Sequence, residues 1–231
     1  MGTLYIVGTP IGNLEDVSFR VIRILSEVDL IAAEDTRVTQ KLLGRYDIKT
    51  KKTSFNKDNA PHKIPEILNI LANNDVALTT DAGTPGISDP GYELVKAVDS
   101  AGFSVIGIPG PSAVTTVLSM CPFPVEGFIF TGFPPRKDVD LSKFLKHYGK
   151  LNLPLVLFES PRRLRNLLEK MTLIYSDRYV FIAREMTKIH EETFHGTPSA
   201  ALAHFLEPKG EFTIVLSKTN TGTNFLDHSD V

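Results

Sequence analysis

The first half of the chain repeats one unit: a short apolar run that ends in a tight loop rich in Gly, Pro or small polar residues, followed by an amphipathic stretch. The runs are Leu4 to Gly8, Leu30 to Ala33, Asp75 to Thr80 and Ser104 to Ile108, and the amphipathic stretches are Val17 to Ser26, Val38 to Tyr46 and Gly91 to Ala101. Strand-length runs alternating with helical periodicity predict parallel strands joined by right-handed crossovers. In such a sheet, ligand-binding loops collect at the carboxyl ends of the strands. Those loops are Gly8 to Asn13, Glu34 to Arg37, Asp81 to Gly91 and Pro109 to Ser112.

The rhythm breaks at Met120 to Gly127, where two prolines and a glycine suit a linker. The second half reads as strands Phe128 to Gly132, Leu155 to Glu159, Tyr179 to Arg184, Glu192 to Gly196 and Glu211 to Ser217. Helices Leu141 to Tyr148, Arg162 to Ile174 and Ser199 to Leu206 lie between them. The link from Glu185 to Glu191 is too short for a crossover helix, so the second sheet should be antiparallel or mixed. The expected organisation is an α/β lobe over 1–119, a linker over 120–127, a second α/β lobe over 128–218 and a disordered polar tail over 219–231.

Composition narrows the function. No apolar run is long enough to span a bilayer, and Met1 leads directly into a buried strand rather than a secretory leader, so a cytoplasmic protein is expected. A net charge of −2 gives no general attraction to polyanions, so any nucleic-acid contact must come from a local patch. The single cysteine, Cys121, has no internal disulfide partner and reads as a small buried hydrophobe. Several common sites are absent. Gly8-Thr9-Pro10-Ile11-Gly12 lacks the Gly-x-G-x-x-G spacing of a dinucleotide fold, and no P-loop occurs. Gly110-Pro111-Ser112-Ala113-Val114 ends in Val where a nucleophile elbow needs Gly. His190 to His195 misses the zinc-protease spacing by one residue, and no metal site is expected.

Any one of the four loops could be an ordinary turn, but four on one rim point to a ligand site. In order along the chain they are Gly8-Thr9-Pro10-Ile11-Gly12-Asn13, Ala33-Glu34-Asp35-Thr36-Arg37, the Asp81 to Gly91 run and Pro109-Gly110-Pro111-Ser112-Ala113. Gly132-Phe133-Pro134-Pro135-Arg136-Lys137, Phe158-Glu159-Ser160-Pro161-Arg162-Arg163, Arg184-Glu185-Met186-Thr187-Lys188 and Lys209-Gly210-Glu211-Phe212 follow. This series resembles the ribosomal RNA small subunit methyltransferase I family, a branch of the tetrapyrrole methylase superfamily, over nearly the whole chain. Small departures are Pro134 where Leu is usual and Arg162 where His is common.

The resemblance implies a two-lobed, class III S-adenosylmethionine methyltransferase fold with a mostly parallel first sheet, a mixed second sheet and the cofactor in a cleft between lobes. It implies homodimers and 2′-O-methylation of a cytidine in 16S rRNA of the small ribosomal subunit. Carried over, the cofactor contacts are Pro10, Asp81, Gly83, Thr84, Ile87, Ser88, Ser112 and Ala113, with backbone near Phe158 and Phe212. Small residues such as Gly83, Thr84, Gly86 and Ala113 also suit such a ligand on physical grounds, because backbone N–H groups can then approach it closely.

Transfer of a methyl group to a hydroxyl is an in-line displacement that depends mainly on alignment, helped by a base. Candidate bases are Glu34, Asp35 and Glu159 at strand ends, and Lys188 if burial lowers its pKa. The competing reading pairs Glu34 and Asp35 with Arg37, and Lys188 with Glu191, as structural ion pairs. Candidate RNA contacts are Arg37, Arg136, Lys137, Lys143, Lys146, Arg162 and Arg163, with Lys143, Lys146 and Lys150 on one face of a helix. Two alternatives stay open: a porphyrinoid C-methyltransferase of the same fold, and a non-catalytic RNA-binding assembly factor.

Overall fold

The computed structural model describes residues 1–219. The expected polar tail lies almost wholly outside them. The described chain forms two compact units, Met1–Ser112 and the part from Ala113 onward.

The first unit is a parallel sheet of β1 (Thr3–Val7), β2 (Leu30–Ala33), β3 (Lys52–Ser54), β4 (Val76–Thr79) and β5 (Ser104–Ile108). The strands lie in the order β3-β2-β4-β1-β5, all pairs parallel. Its helices are α1 (Phe19–Glu27), α2 (Thr36–Arg45), α3 (Ala60–Leu71) and α4 (Tyr92–Ser100). Ser18 starts α1 by accepting from the Val21 amide at 3.2 Å, and Asp35 starts α2 by accepting from the Arg37 amide at 2.8 Å. Side-chain alternation along the strands sorts the core onto two faces. Val7, Ala33 and Ala77 pack with Val21, Leu25, Leu42 and Leu43 of α1 and α2. Leu4, Ala32, Val76 and Leu78 pack with Ile67, Leu71, Leu94 and Val98 of α3 and α4. The crossovers that leave the neighbouring strands β1 and β4 therefore take opposite faces, which opens a crevice at their carboxyl ends.

Sequence reading passed over β3 and α3. β3 is only three residues long, and α3 contains Pro65 within the helix as well as Pro61 in its first turn. Proline removes a backbone donor and normally argues against a helix interior, so the amphipathic signal of Ile67 and Leu71 was obscured.

The second unit begins with α5 (Ala113–Met120) and continues through β6 (Ile129–Phe130), α6 (Asp138–Gly149), β7 (Leu155–Glu159), α7 (Pro161–Ile174), β8 (Val180–Arg184), β9 (Glu192–Gly196), α8 (Pro198–His204) and β10 (Phe212–Leu216). The sheet order is β6-β7-β10-β8-β9, with β6 parallel to β7 and the remaining pairs antiparallel. The mixed sheet is as the short Glu185 to Glu191 link required. One face buries Leu155, Leu157, Ile182 and Ile214 under Leu145, Leu164, Leu168, Met171 and Phe205. The other buries Val156, Phe181 and Val215 under Val114 and Val117. α5, which the sequence assigned to the first lobe, thus covers a face of the second sheet, and the division between units falls at Ser112. The residues 120–127 lie within the second unit, and Phe123 joins its core.

Two glycines of the first unit meet back to back. A Cβ on Gly110 would stand 2.3 Å from the Gly8 carbonyl oxygen, whereas a Cβ on Gly107 would meet nothing within 4 Å. Gly110→Ala should therefore cost about 2–3 kcal/mol in urea denaturation, while Gly107→Ala, in an open position of β5, should be neutral or slightly stabilising.

Candidate active site

All four first-half loops come together at the carboxyl end of the parallel sheet. After β1, Thr9 and Gly83 exchange two backbone hydrogen bonds of 2.9 and 3.1 Å, and the Thr9 hydroxyl donates to the Thr80 carbonyl at 3.2 Å. The Gly8 amide donates to Ile108 O at 3.0 Å, which holds the β1 loop to the β5 loop. From the β2 loop, the Asp35 amide donates to Asp81 Oδ1 at 3.1 Å, and in return the Asp81 amide donates to Glu34 Oε2 at 3.3 Å. Gly83 (φ 76°) and Gly86 (φ 83°) take left-handed conformations, and nothing lies within 4 Å of where a Cβ of Gly86 would stand. Next to it, Ile87 is 53% exposed. Pro10 is buried, and Thr84, Ser112 and Ala113 are half-buried.

The carboxylates on this rim differ in state. Hydrogen bonds from the Arg37 side chain and amide hold Asp35 down at about 2, which makes it a weak base. Burial lifts Glu34 above the usual carboxylate range, against the pull of the Asp81 amide bond, and burial likewise lifts Asp81. Asp89, which sequence reading did not single out, is raised to about 6 by burial and by the charges of Glu34 and Asp81, with Lys57 opposing. Among the original carboxylates of this unit, only Glu34 is both half-buried and poised upward.

In the second unit the motif segments also gather at one sheet end. Register pairs Phe212 with Glu159 and with Arg184, and Arg184 with Glu192. Consequently the turns after β6, β7 and β8 and those before β9 and β10 are neighbours. The Phe158 amide donates to Gly132 O at 3.0 Å, and its ring makes edge contacts with Phe130 and the exposed Phe133. Phe212 is buried in the core, so it offers main chain to this edge.

Two candidates here have internal duties. The Glu159 side chain is 0% exposed, pairs with Arg163 at 3.1 Å and accepts from the Ser160 amide at 2.8 Å, while burial raises its pKa. The same Arg163 guanidinium donates to Pro134 O and Pro135 O at 2.7 and 3.0 Å. Arg163 therefore fastens the Pro134–Pro135 turn to the end of β7. Lys188 contradicts its premise as a base. Burial alone would lower it, but hydrogen bonds and charges from Glu211 at 2.8 Å and Glu185 at 3.0 Å outweigh that and hold its pKa above the ordinary lysine value. It ties the Glu185–Lys188 turn, with Glu185 and Thr187 at positive φ, to the residue before β10. The Thr187 amide in turn donates to Glu191 at 2.7 Å.

Arg37 is highly exposed despite its pair with Asp35 at 2.6 Å. Arg136, Lys137, Lys143, Lys146, Lys150 and Arg162 are exposed, and Leu141 and Leu145 turn the opposite face of α6 into the core. Burial pushes the Cys121 thiol up to about 12, so it stays protonated. Among the described residues, no group of three or more His, Cys, Asp or Glu side chains is arranged to hold a metal, and no helix is long and apolar enough to cross a membrane.

A parallel sheet with a looped rim followed by a mixed sheet with its own motif-bearing edge is the architecture of a tetrapyrrole (corrin/porphyrin) methylase, and the model of that family matches residues 3–201. Solved structures agree on the fold. The chain superposes on cobalt precorrin-4 methyltransferase with TM-score 0.68 at 16% identity, covering 92% of this chain and 94% of that one. For uroporphyrin-III C-methyltransferase from Thermus thermophilus the TM-score is 0.63 at 17% identity, with 93% and 94% covered. Within the class, the chain belongs to the ribosomal RNA small subunit methyltransferase I family. It is 50% identical to the protein of that name from Thermotoga maritima over 94% of this chain and 99% of that one. It is 44% identical to the one from Borrelia garinii subsp. bavariensis, over 94% and 100%.

Two outcomes test these electrostatics. Arg163→Met should destabilise the protein by about 3 kcal/mol, because it leaves the Glu159 carboxylate buried and unpaired, and adding Glu159→Gln should recover much of the loss in denaturant melts. Asp89 has its pKa raised from 3.8 unfolded to about 6 folded. The native state therefore binds its proton more tightly, and the stability from this group is full below the unfolded value and lost as pH rises through the folded one. Asp89→Asn should raise Tm relative to the parent at pH 7.5 by about 1–3 °C, and by less at pH 4.5, in thermal melts at the two pH values.

Proposed function

We propose that the chain uses S-adenosylmethionine to 2′-O-methylate a cytidine of 16S rRNA in the small ribosomal subunit. The observation that carries this reading is the joining of a glycine-lined backbone cradle and a half-buried carboxylate, Glu34, on one rim of the parallel sheet. The names of its close relatives support RNA as the acceptor.

S-adenosylmethionine supplies the methyl group as an electrophile on a sulfonium. The residues of the first-unit rim that would hold it are Pro10, Asp81, Gly83, Thr84, Ile87, Ser88 and Ser112, with Ala113 next in the chain. The Asp81–Gly91 loop fits such a ligand, since open space at Gly86 and the exposed Ile87 provide room and apolar surface for a nucleoside. Glu34 accepts the proton of the ribose hydroxyl, for which it must be ionised, and its raised pKa makes it a better base than Asp35. Asp35 holds the rim together through α2 and Arg37. Arg37, Arg136, Lys137, Lys143, Lys146 and Arg162 supply phosphate contacts that set the register of the RNA. Homodimer formation and a cytoplasmic setting belong to the same reading.

Incubation with methyl-labelled cofactor and small subunits from a strain lacking the modification, followed by mapping, should place label on one cytidine ribose. Label on a base, or none, overturns the proposal. Glu34→Gln should lower kcat by about 10²-fold or more while calorimetric affinity for S-adenosylmethionine stays unchanged. Charge reversal at Lys143 and Lys146 should weaken RNA binding and flatten its salt dependence in filter titrations, with cofactor affinity unaffected.

A further inference from the structure

The half of the Asp81–Gly91 loop beyond Ile87 differs in chemistry from the half that meets Thr9. It holds Ser88 at φ 66° and the half-buried Asp89, and it closes through a bond of 3.2 Å from the Gly86 amide to Pro90 O. A Cβ on Gly91 would stand 3.1 Å from Leu78 Cδ2, so this part of the loop roofs the sheet face that carries Leu78. Alternation returns Thr80 to that face, because Thr79 turns the other way toward Thr39, 3.5 Å distant. The register of Ala33 with Thr79 and with Ser54 sets Glu34 level with Thr80 and Phe55 on the same face, and Lys57 follows two residues later.

Thr80 is 2% exposed, and its hydroxyl has no hydrogen-bond partner. A buried hydroxyl without a partner is unfavourable and calls for a reason. Asp89, on the loop that roofs this face, lies within electrostatic reach of Glu34, Asp81 and Lys57. This end of the sheet therefore carries an acceptor, the Asp89 carboxylate, and two donors, the Thr80 hydroxyl and the Lys57 ammonium, beside the carboxylate assigned to the ribose. This set complements a base edge on which an amine adjoins a ring nitrogen and a carbonyl. A base with a carbonyl in place of the amine would set its lone pairs against the carboxylate.

We propose that Asp89, Thr80 and Lys57 read the base of the acceptor nucleotide and select one that carries an exocyclic amine, while Glu34 serves the ribose of that nucleotide. This rests on the reading of the first-unit rim as the methyl-transfer site.

The test uses small subunits reconstituted with RNA in which the mapped cytidine is kept or replaced by uridine. The parent protein should favour cytidine by about tenfold or more in kcat/KM. Asp89→Asn should bring that ratio near one, through a higher KM for the cytidine acceptor, with S-adenosylmethionine affinity by calorimetry unchanged. Thr80→Val, which is isosteric and removes the unpaired hydroxyl, should reduce the preference without lowering Tm. It carries the test on its own should Asp89→Asn fail to fold. An unchanged cytidine-to-uridine ratio in the folded variants overturns the inference even where their rates fall. Absence of label on either RNA with the parent protein overturns the methyl-transfer reading, and this inference with it.

Discussion

The rim of the first unit depends on main chain bonded to main chain. Thr9 and Gly83 pair through their backbones, Gly8 bonds to Ile108, and the carbonyl of Gly8 presses against Gly110 at a distance no side chain would permit. These contacts join the loops after β1, β4 and β5 without using a functional side chain. The fourth loop is tied on by carboxylates, through the exchange between Glu34, Asp35 and Asp81. A rim built this way fixes where its side chains stand, which is the preorganisation that alignment-dependent chemistry requires.

The second unit uses ion pairs for the same purpose. Arg163 reaches from α7 to Glu159 and to the carbonyls of the Pro134–Pro135 turn, and Lys188 joins the turn after β8 to the approach to β10. Both are charged residues in motif segments, and both are spent on shaping the edge. The cations left exposed, on α6 and around Arg136 and Arg162, are those without such partners in the fold's interior.

Much of this was legible in the sequence, for a physical reason. Parallel strands buried on both faces read as continuous apolar runs, and the turns that end them need Gly and Pro, so the four loops announce themselves. What stayed hidden depends on distant partners. The pKa of Lys188 turns on Glu211, 23 residues away, and Arg163 is held by carbonyls that no side-chain pattern encodes. Asp89 sits in a loop that was recognised, but its state depends on its burial and on the charge of Glu34 from another loop. The helix α3 was lost to Pro65, and α5 was placed by chain order when only packing could show which sheet it covers.

That last point bears on how the molecule is divided in the laboratory. A fragment ending at residue 119 would carry Val114 and Val117 without the Val156, Phe181 and Val215 that shield them, leaving a greasy, unsupported helix at its carboxyl terminus. Cutting at Ser112 instead leaves each half with its own helices and its own sheet.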